Sequence, residues 1–126
     1  MSTEAVKKVV QNYIDGTFTG NADLLASAFH KDAIMTGYMG PDLVIATPAA
    51  FVDEIRNNKS MQSQGHAFKA EIEDITVVGG VAQARVHETG FWGEGEVMEL
   101  FQLLIDTDGQ WKIISKCFTT MPPAVK

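Results

Sequence analysis

The chain predicts an α+β fold, with helices gathered on one side of a curved antiparallel sheet. Three observations carry this expectation. Apolar residues recur at helical spacing in three stretches of the N-terminal half. From Phe68 onward they alternate in long runs, as strands require. Gly79-Gly80 and Asp106-Thr107-Asp108-Gly109 separate those runs as hairpin signals.

Taken in order, Ser2 or Thr3 can cap a first helix, with Glu4 in its first turn. Its apolar stripe is Val6, Val9, Val10, Tyr13 and Ile14, extended by Phe18. Gly20-Asn21 interrupts, and Asn21 or Asp23 caps a short second helix carrying Leu24, Leu25, Ala28 and Phe29. Ala33 to Thr36 reads as a short strand ending near Gly37, and Leu43-Val44-Ile45 as another beyond the Gly40-Pro41 turn. Thr47-Pro48 opens a third helix, with proline at the first helical position where its missing N–H costs nothing. Phe51, Val52 and Ile55 form its buried stripe, and Asn57 to Gly65 is polar loop. Phe68, Ala70 and Ile72 alternate, then Ile75 and Val77 resume out of phase, so a β-bulge is expected around Glu73-Asp74. Val81–Phe91, Gly95–Ile105 and Gln110–Thr120 complete the sheet, and Met121-Pro122-Pro123 stops the last strand.

At 126 residues the chain suits one domain, spanning 1–126, with one sizeable core. A net charge of -6, from 10 Lys+Arg against 16 Asp+Glu, argues against nucleic acid and against an anionic membrane as partners. The single cysteine, Cys117, excludes an internal disulfide and a zinc ribbon. His30, His66 and His87 lack metal-ligand spacing, so no metal is expected. The N-terminus shows no basic region followed by an apolar core, and no apolar run is long enough to span a bilayer. The expected location is the cytoplasm.

Strand pairing brings the chemistry together. If Ile105 pairs with Gln110, Glu99 lies opposite Lys116. If Trp92 pairs with Gly95, Glu88 lies opposite Glu99; a turn shifted by one position would place Val86 there instead. The expected result is a charge triplet, Glu88, Glu99 and Lys116, on a helix-facing surface shared with Ala82, Ala84, Val86, Phe101, Ile114 and Phe118. Met98, Leu100, Leu104, Trp111, Ile113 and Cys117 then fall on the opposite face. Such an apolar patch calls for cover, supplied by a homodimer through the outer sheet face or, in part, by helix one or the C-terminal tail.

The run Val9-Val10-Gln11-Asn12-Tyr13-Ile14, followed by Gly20-Asn21, Leu24-Leu25 and Phe29-His30-Lys31-Asp32-Ala33, resembles the opening of ketosteroid isomerase and SnoaL-like polyketide cyclases. The ending, from Glu99-Leu100-Phe101-Gln102-Leu103 through Gly109-Gln110-Trp111-Lys112-Ile113 to Lys116-Cys117-Phe118, resembles the branch called the putative lumazine-binding family. The resemblance implies a nuclear transport factor 2-like (cystatin-like) α+β cone, with three N-terminal helices packed on the concave face of the sheet. It places Tyr13 on the isomerase's helix-one tyrosine, but Gly37 on the position of its base and Phe101 on that of its protonated aspartate. Two of three catalytic groups are therefore missing, which argues against that proton transfer. The same matching places Glu88, Phe101, Lys116 and Phe118 on pocket walls.

The expected ligand-binding residues are Tyr13, Tyr38, Glu88, Glu99, Phe101, Lys116 and Phe118, with Met35 and Trp92 near the pocket mouth. The leading reading is a binding protein for a small organic molecule. A second is a cofactor-independent isomerase, dehydratase or cyclase, in which Glu99 or Glu88 moves a proton and Tyr13 or Lys116 stabilises an oxyanion. A third is a dimerisation or interaction domain with a vestigial pocket, in which Glu99 and Lys116 form a structural ion pair. None of these readings calls for a cofactor.

Overall fold

The computed structural model describes residues 2–125. Helix α1 spans Ser2–Thr19, α2 Ala22–Ser27 and α3 Pro48–Asn57. The strands are β1 Phe29–Met39, β2 Asp42–Ala46, β3 Lys69–Val78, β4 Val81–Phe91, β5 Gly95–Ile105 and β6 Trp111–Thr120. They form one sheet in the order β2-β1-β6-β5-β4-β3. The sheet is curved and open, with the helices on its concave side, so the α+β cone is the architecture observed. Among the described residues no helix is long and apolar enough to cross a membrane.

Local chemistry accounts for most elements. Val6, Val10, Tyr13 and Ile14 of α1 are buried at helical spacing. Ser2 and Thr3 both lie inside that helix, so neither caps it. Asn21, and not Asp23, caps α2: its side chain accepts from the Leu24 N–H at 3.1 Å. Pro48 opens α3, which buries Phe51, Val52 and Ile55. The bulge in β3 falls at Glu73, between the pairs Ile72–Val86 and Asp74–Arg85.

Three expectations are corrected. The first concerns β1, which is a full eleven-residue strand beginning at Phe29 and running parallel to β6, so the sheet is mixed. Phe29 belongs to this strand, and α2 ends before it. No local pattern betrays this, because the strand is held by a partner more than eighty residues away.

The second correction is the β4–β5 register. Phe91 pairs with Gly95 around a Trp92-Gly93-Glu94 turn, and an irregularity between Glu88 and Phe91 shifts the register one step further, so Val86, not Glu88, lies opposite Glu99, and Glu88 faces Val97. The third is the β5–β6 register. Asp106 donates its N–H to the Gln110 carbonyl, moving the first pair to Ile105–Trp111. A bulge at Ile114 then adds one more step, leaving Glu99 opposite Phe118 and Lys116 opposite Phe101. Between those two steps the faces are inverted. Trp111 and Ile113 are buried inside, not on the outer face, and Ile114 is displaced from the inner one. Beyond the bulge the parity is restored, so Lys116 and Phe118 point inward.

Candidate functional site

The inner face and α3 enclose a cavity of about 370 Å³. Met35 and Met39 of β1, Val44 and Ala46 of β2, and Thr47, Ala50, Phe51 and Glu54 at the start of α3 form one side. The β4–β5 hairpin closes the other with Glu88, Phe91, Trp92, Val97 and Glu99, and Lys116 and Phe118 come from β6. The walls are mostly apolar; Glu88, Glu99 and Lys116 are collected at the sheet, and Glu54 stands on the helix side.

Those charges sit diagonally on three neighbouring strands rather than in a straight row. Glu88 and Glu99 are each 1% exposed and Lys116 6%. Lys116 Nζ lies 2.9 Å from Glu99 Oε2, and the Tyr13 hydroxyl donates to that same oxygen at 2.6 Å. The ammonium also rests 4.5 Å from the ring centroid of Phe51, 4.9 Å from that of Tyr13 and 5.2 Å from that of Phe118. Aromatic faces and a carboxylate together offset the loss of water around a buried ammonium.

Glu88 is held differently. Burial, and then the neighbouring Glu99 carboxylate, push its pKa well above the usual carboxylate range; Lys116 opposes this only in part. Glu88 Oε2 and Glu99 Oε1 are both sealed from solvent without a hydrogen-bond partner. A proton held by Glu88 and donated to Glu99 relieves this, because a protonated carboxyl is a donor and an ionised one is not. Burial, and then Glu88 and Glu99, raise the Tyr13 pKa well above the usual phenol value, so Tyr13 is a neutral donor.

The sequence-predicted residues divide in the structure. Glu88, Glu99, Lys116 and Phe118 line the cavity, as do Met35 and Trp92. Tyr13 and Phe101 do not; they form the layer beneath it, with ring centroids 5.0 Å apart. Tyr38 is a correction. It lines a depression on the outer face with Leu43, Met98 and Leu100, because its neighbours Met35 and Met39 take the inward phase of β1. Gly37 shares that inward phase, and a Cβ there would collide with the Phe118 carbonyl. The position aligned with the isomerase's base therefore has no room for a carboxylate. Sequence reasoning missed the contribution of α3: Phe51 reads as ordinary helix core, yet its ring covers Lys116. Among the described residues no three His, Cys, Asp or Glu side chains gather as metal ligands.

The sequence pattern of the family described as "Putative lumazine-binding" matches residues 1–119. The chain belongs to this family. Its fold is that of the nuclear transport factor 2-like superfamily, as the solved structures show. An NTF2-like protein of unknown function from Shewanella baltica OS155 is 25% identical with a TM-score of 0.81, over 94% of this chain and 93% of that one. Another, from Methylobacillus flagellatus KT, is 28% identical with a TM-score of 0.80, over 93% and 90%. A ketosteroid isomerase-like protein from Erwinia carotovora atroseptica SCRI1043 shares the fold at 14% identity, with a TM-score of 0.67 over 96% and 97%. No curated protein matches.

Proposed function

We propose that this member of the lumazine-binding family binds a small organic molecule in the cavity between α3 and the inner sheet face. The observation that carries the reading is the cluster of Glu88, Glu99 and Lys116 at the sheet side of a largely apolar cavity of about 370 Å³. Buried charges are costly, and a simple core would fill these positions with hydrocarbon. Tyr13 acts from beneath, holding Glu99. Native mass spectrometry of freshly purified protein, with a denatured control, tests this. The expected result is a non-covalent small mass that the Lys116→Met variant loses. A second arm titrates lumazine, the ligand that the family's description names, and reads the melting temperature. No co-purified mass, and no shift with lumazine or other flat heterocycles, would overturn the reading.

One observation favours a second reading, cofactor-independent isomerase, dehydratase or cyclase chemistry. Burial and the neighbouring Glu99 carboxylate raise the Glu88 pKa well above the usual carboxylate range, the direction a general acid requires. Turnover that Glu88→Gln abolishes without loss of binding would select this reading.

A homodimer through the outer sheet face belongs to the same proposal. Leu100 is 53% exposed and Ile34 50% on a surface that also carries Met98, Leu104 and Cys117, while Trp111 and Ile113 are withdrawn from it into the core. An exposed free thiol at Cys117 suits a reducing, cytoplasmic setting.

A further inference from the structure

The sheet ends on two edge strands, β2 and β3, and the chain treats them differently. An edge strand offers unpaired backbone N–H and C=O groups to any other strand, and native proteins block it with charges or bulges. The β3 edge is blocked in this way. Lys69, Glu71, Glu73 and Asp74 lie along it, and the bulge at Glu73 breaks its ladder. The β2 edge has neither device. Its five residues, Asp42-Leu43-Val44-Ile45-Ala46, pair with β1 without a register shift, and Asp42 is their one charge. Leu43 is 60% exposed and Ile45 74%, the highest value among the large apolar side chains of the described residues.

The backbone of β2 suits a two-fold partner. Met39 and Asp42 flank the two-residue turn Gly40-Pro41, so they form the hydrogen-bonded pair that closes the hairpin. Bonded and non-bonded pairs alternate along an antiparallel ladder. Val44 and Ala46 therefore bond to β1, opposite Gly37 and Met35, while Leu43 and Ile45 turn their N–H and C=O groups away from it. Among the described residues no other backbone group meets them. In an antiparallel pairing centred on Val44, Leu43 lies opposite the partner's Ile45 and Ile45 opposite the partner's Leu43, so the free groups face each other. Asp42 then lies opposite the partner's Ala46, and no like charges are opposed. Centring on Leu43 instead would set Ile45 against Pro41, which has no N–H to give. Centring on Ile45 would set Leu43 against Thr47, where the chain leaves the strand for α3. Self-complementarity of this kind is what a two-fold axis requires of an interface.

We propose that β2 pairs antiparallel with β2 of a second copy of this chain about a two-fold axis at Val44, joining the two sheets edge to edge. This interface is separate from the outer sheet face and does not depend on what the cavity binds. The seam runs along the cavity wall that Val44 and Ala46 form.

Two measurements test it. Cys117→Ser removes the chain's one thiol. In that background Val44→Cys sets two thiols opposite each other in a non-hydrogen-bonded pair, the closer kind and within reach of a disulfide. Oxidised glutathione is expected to convert most of this variant to a disulfide-linked dimer, itself being reduced to the thiol. Asp42→Cys is the control, because its two thiols lie about 13 Å apart along the seam and stay unlinked. Leu100→Asp added to Val44→Cys is expected to leave the link in place, since it disturbs only the outer face. The second measurement needs no variant. Hydrogen exchange of the parent protein at millimolar concentration is expected to be slowed at least about tenfold at the Leu43 and Ile45 amides, relative to unpaired edge amides. Free exchange at both amides overturns the proposal. So does a folded Val44→Cys variant that does not link, equal linking of the two cysteine variants, or loss of the link with Leu100→Asp.

Discussion

Glu88 can donate to Glu99 only while it holds a proton, and its protonation couples to stability. The folded protein holds this proton more tightly than the unfolded chain, whose carboxyl titrates near 4.5. Stability from this group is therefore complete below that value and declines as pH rises towards the raised folded-state pKa. Glu88→Gln keeps a donor for Glu99 and removes the titration. It is expected to flatten the decline and to stabilise the protein at pH 8 by about 1–2 kcal/mol, the scale of relieving one unsatisfied buried group. Urea unfolding at several pH values checks this; a variant that is less stable at pH 8 and equally pH-dependent contradicts it. Tyr13→Phe removes a donor to an ionised carboxylate in a fully buried setting. The expected loss is about 1.5–3 kcal/mol by the same measurement. Both side chains were legible as inward-facing from strand alternation and helical spacing. Which of them touches the cavity was not, since depth below a surface depends on packing from other elements.

Among the elements, β1 and β6 decide the shape of the site. Their parallel pairing places Gly37 against Phe118, with a backbone φ of 155° at Gly37 and no space for a Cβ. Gly37→Ala is expected to destabilise the protein by more than about 2 kcal/mol, through strain and collision together, with thermal unfolding as the readout. Near-parental stability would mean that the two strands separate there at little cost. The helices and the hairpin at Gly79-Gly80 were readable because capping, turn chemistry and periodicity are local. The Ile114 bulge was not, because Ile113 and Ile114 are adjacent and either phase offers the core an apolar side chain there.

On the scale of the whole molecule, the outer sheet face is the unfinished surface. Leu100→Asp puts a charge in its middle without touching the inner core, and its side chain is already 53% exposed. The expected outcome is a dimer dissociation constant raised at least about tenfold, read by light scattering after gel filtration, with an unchanged far-ultraviolet spectrum. A monomeric parent protein would remove the homodimer proposal altogether.

The sequence by itself determined the α+β class, the order of helices and strands, the family to which the chain belongs, and the inward direction of Glu88. Each of these follows from local periodicity, turn chemistry or a contiguous motif. Only the tertiary structure decided that Glu99 meets Lys116 diagonally, that Tyr13 caps the pair from beneath, that α3 roofs the cavity with Phe51, and that Tyr38 points away. Those features depend on register and on contacts between distant parts of the chain. One inserted residue in a strand moves a side chain to the opposite face, and nothing in the strand's own composition opposes the change.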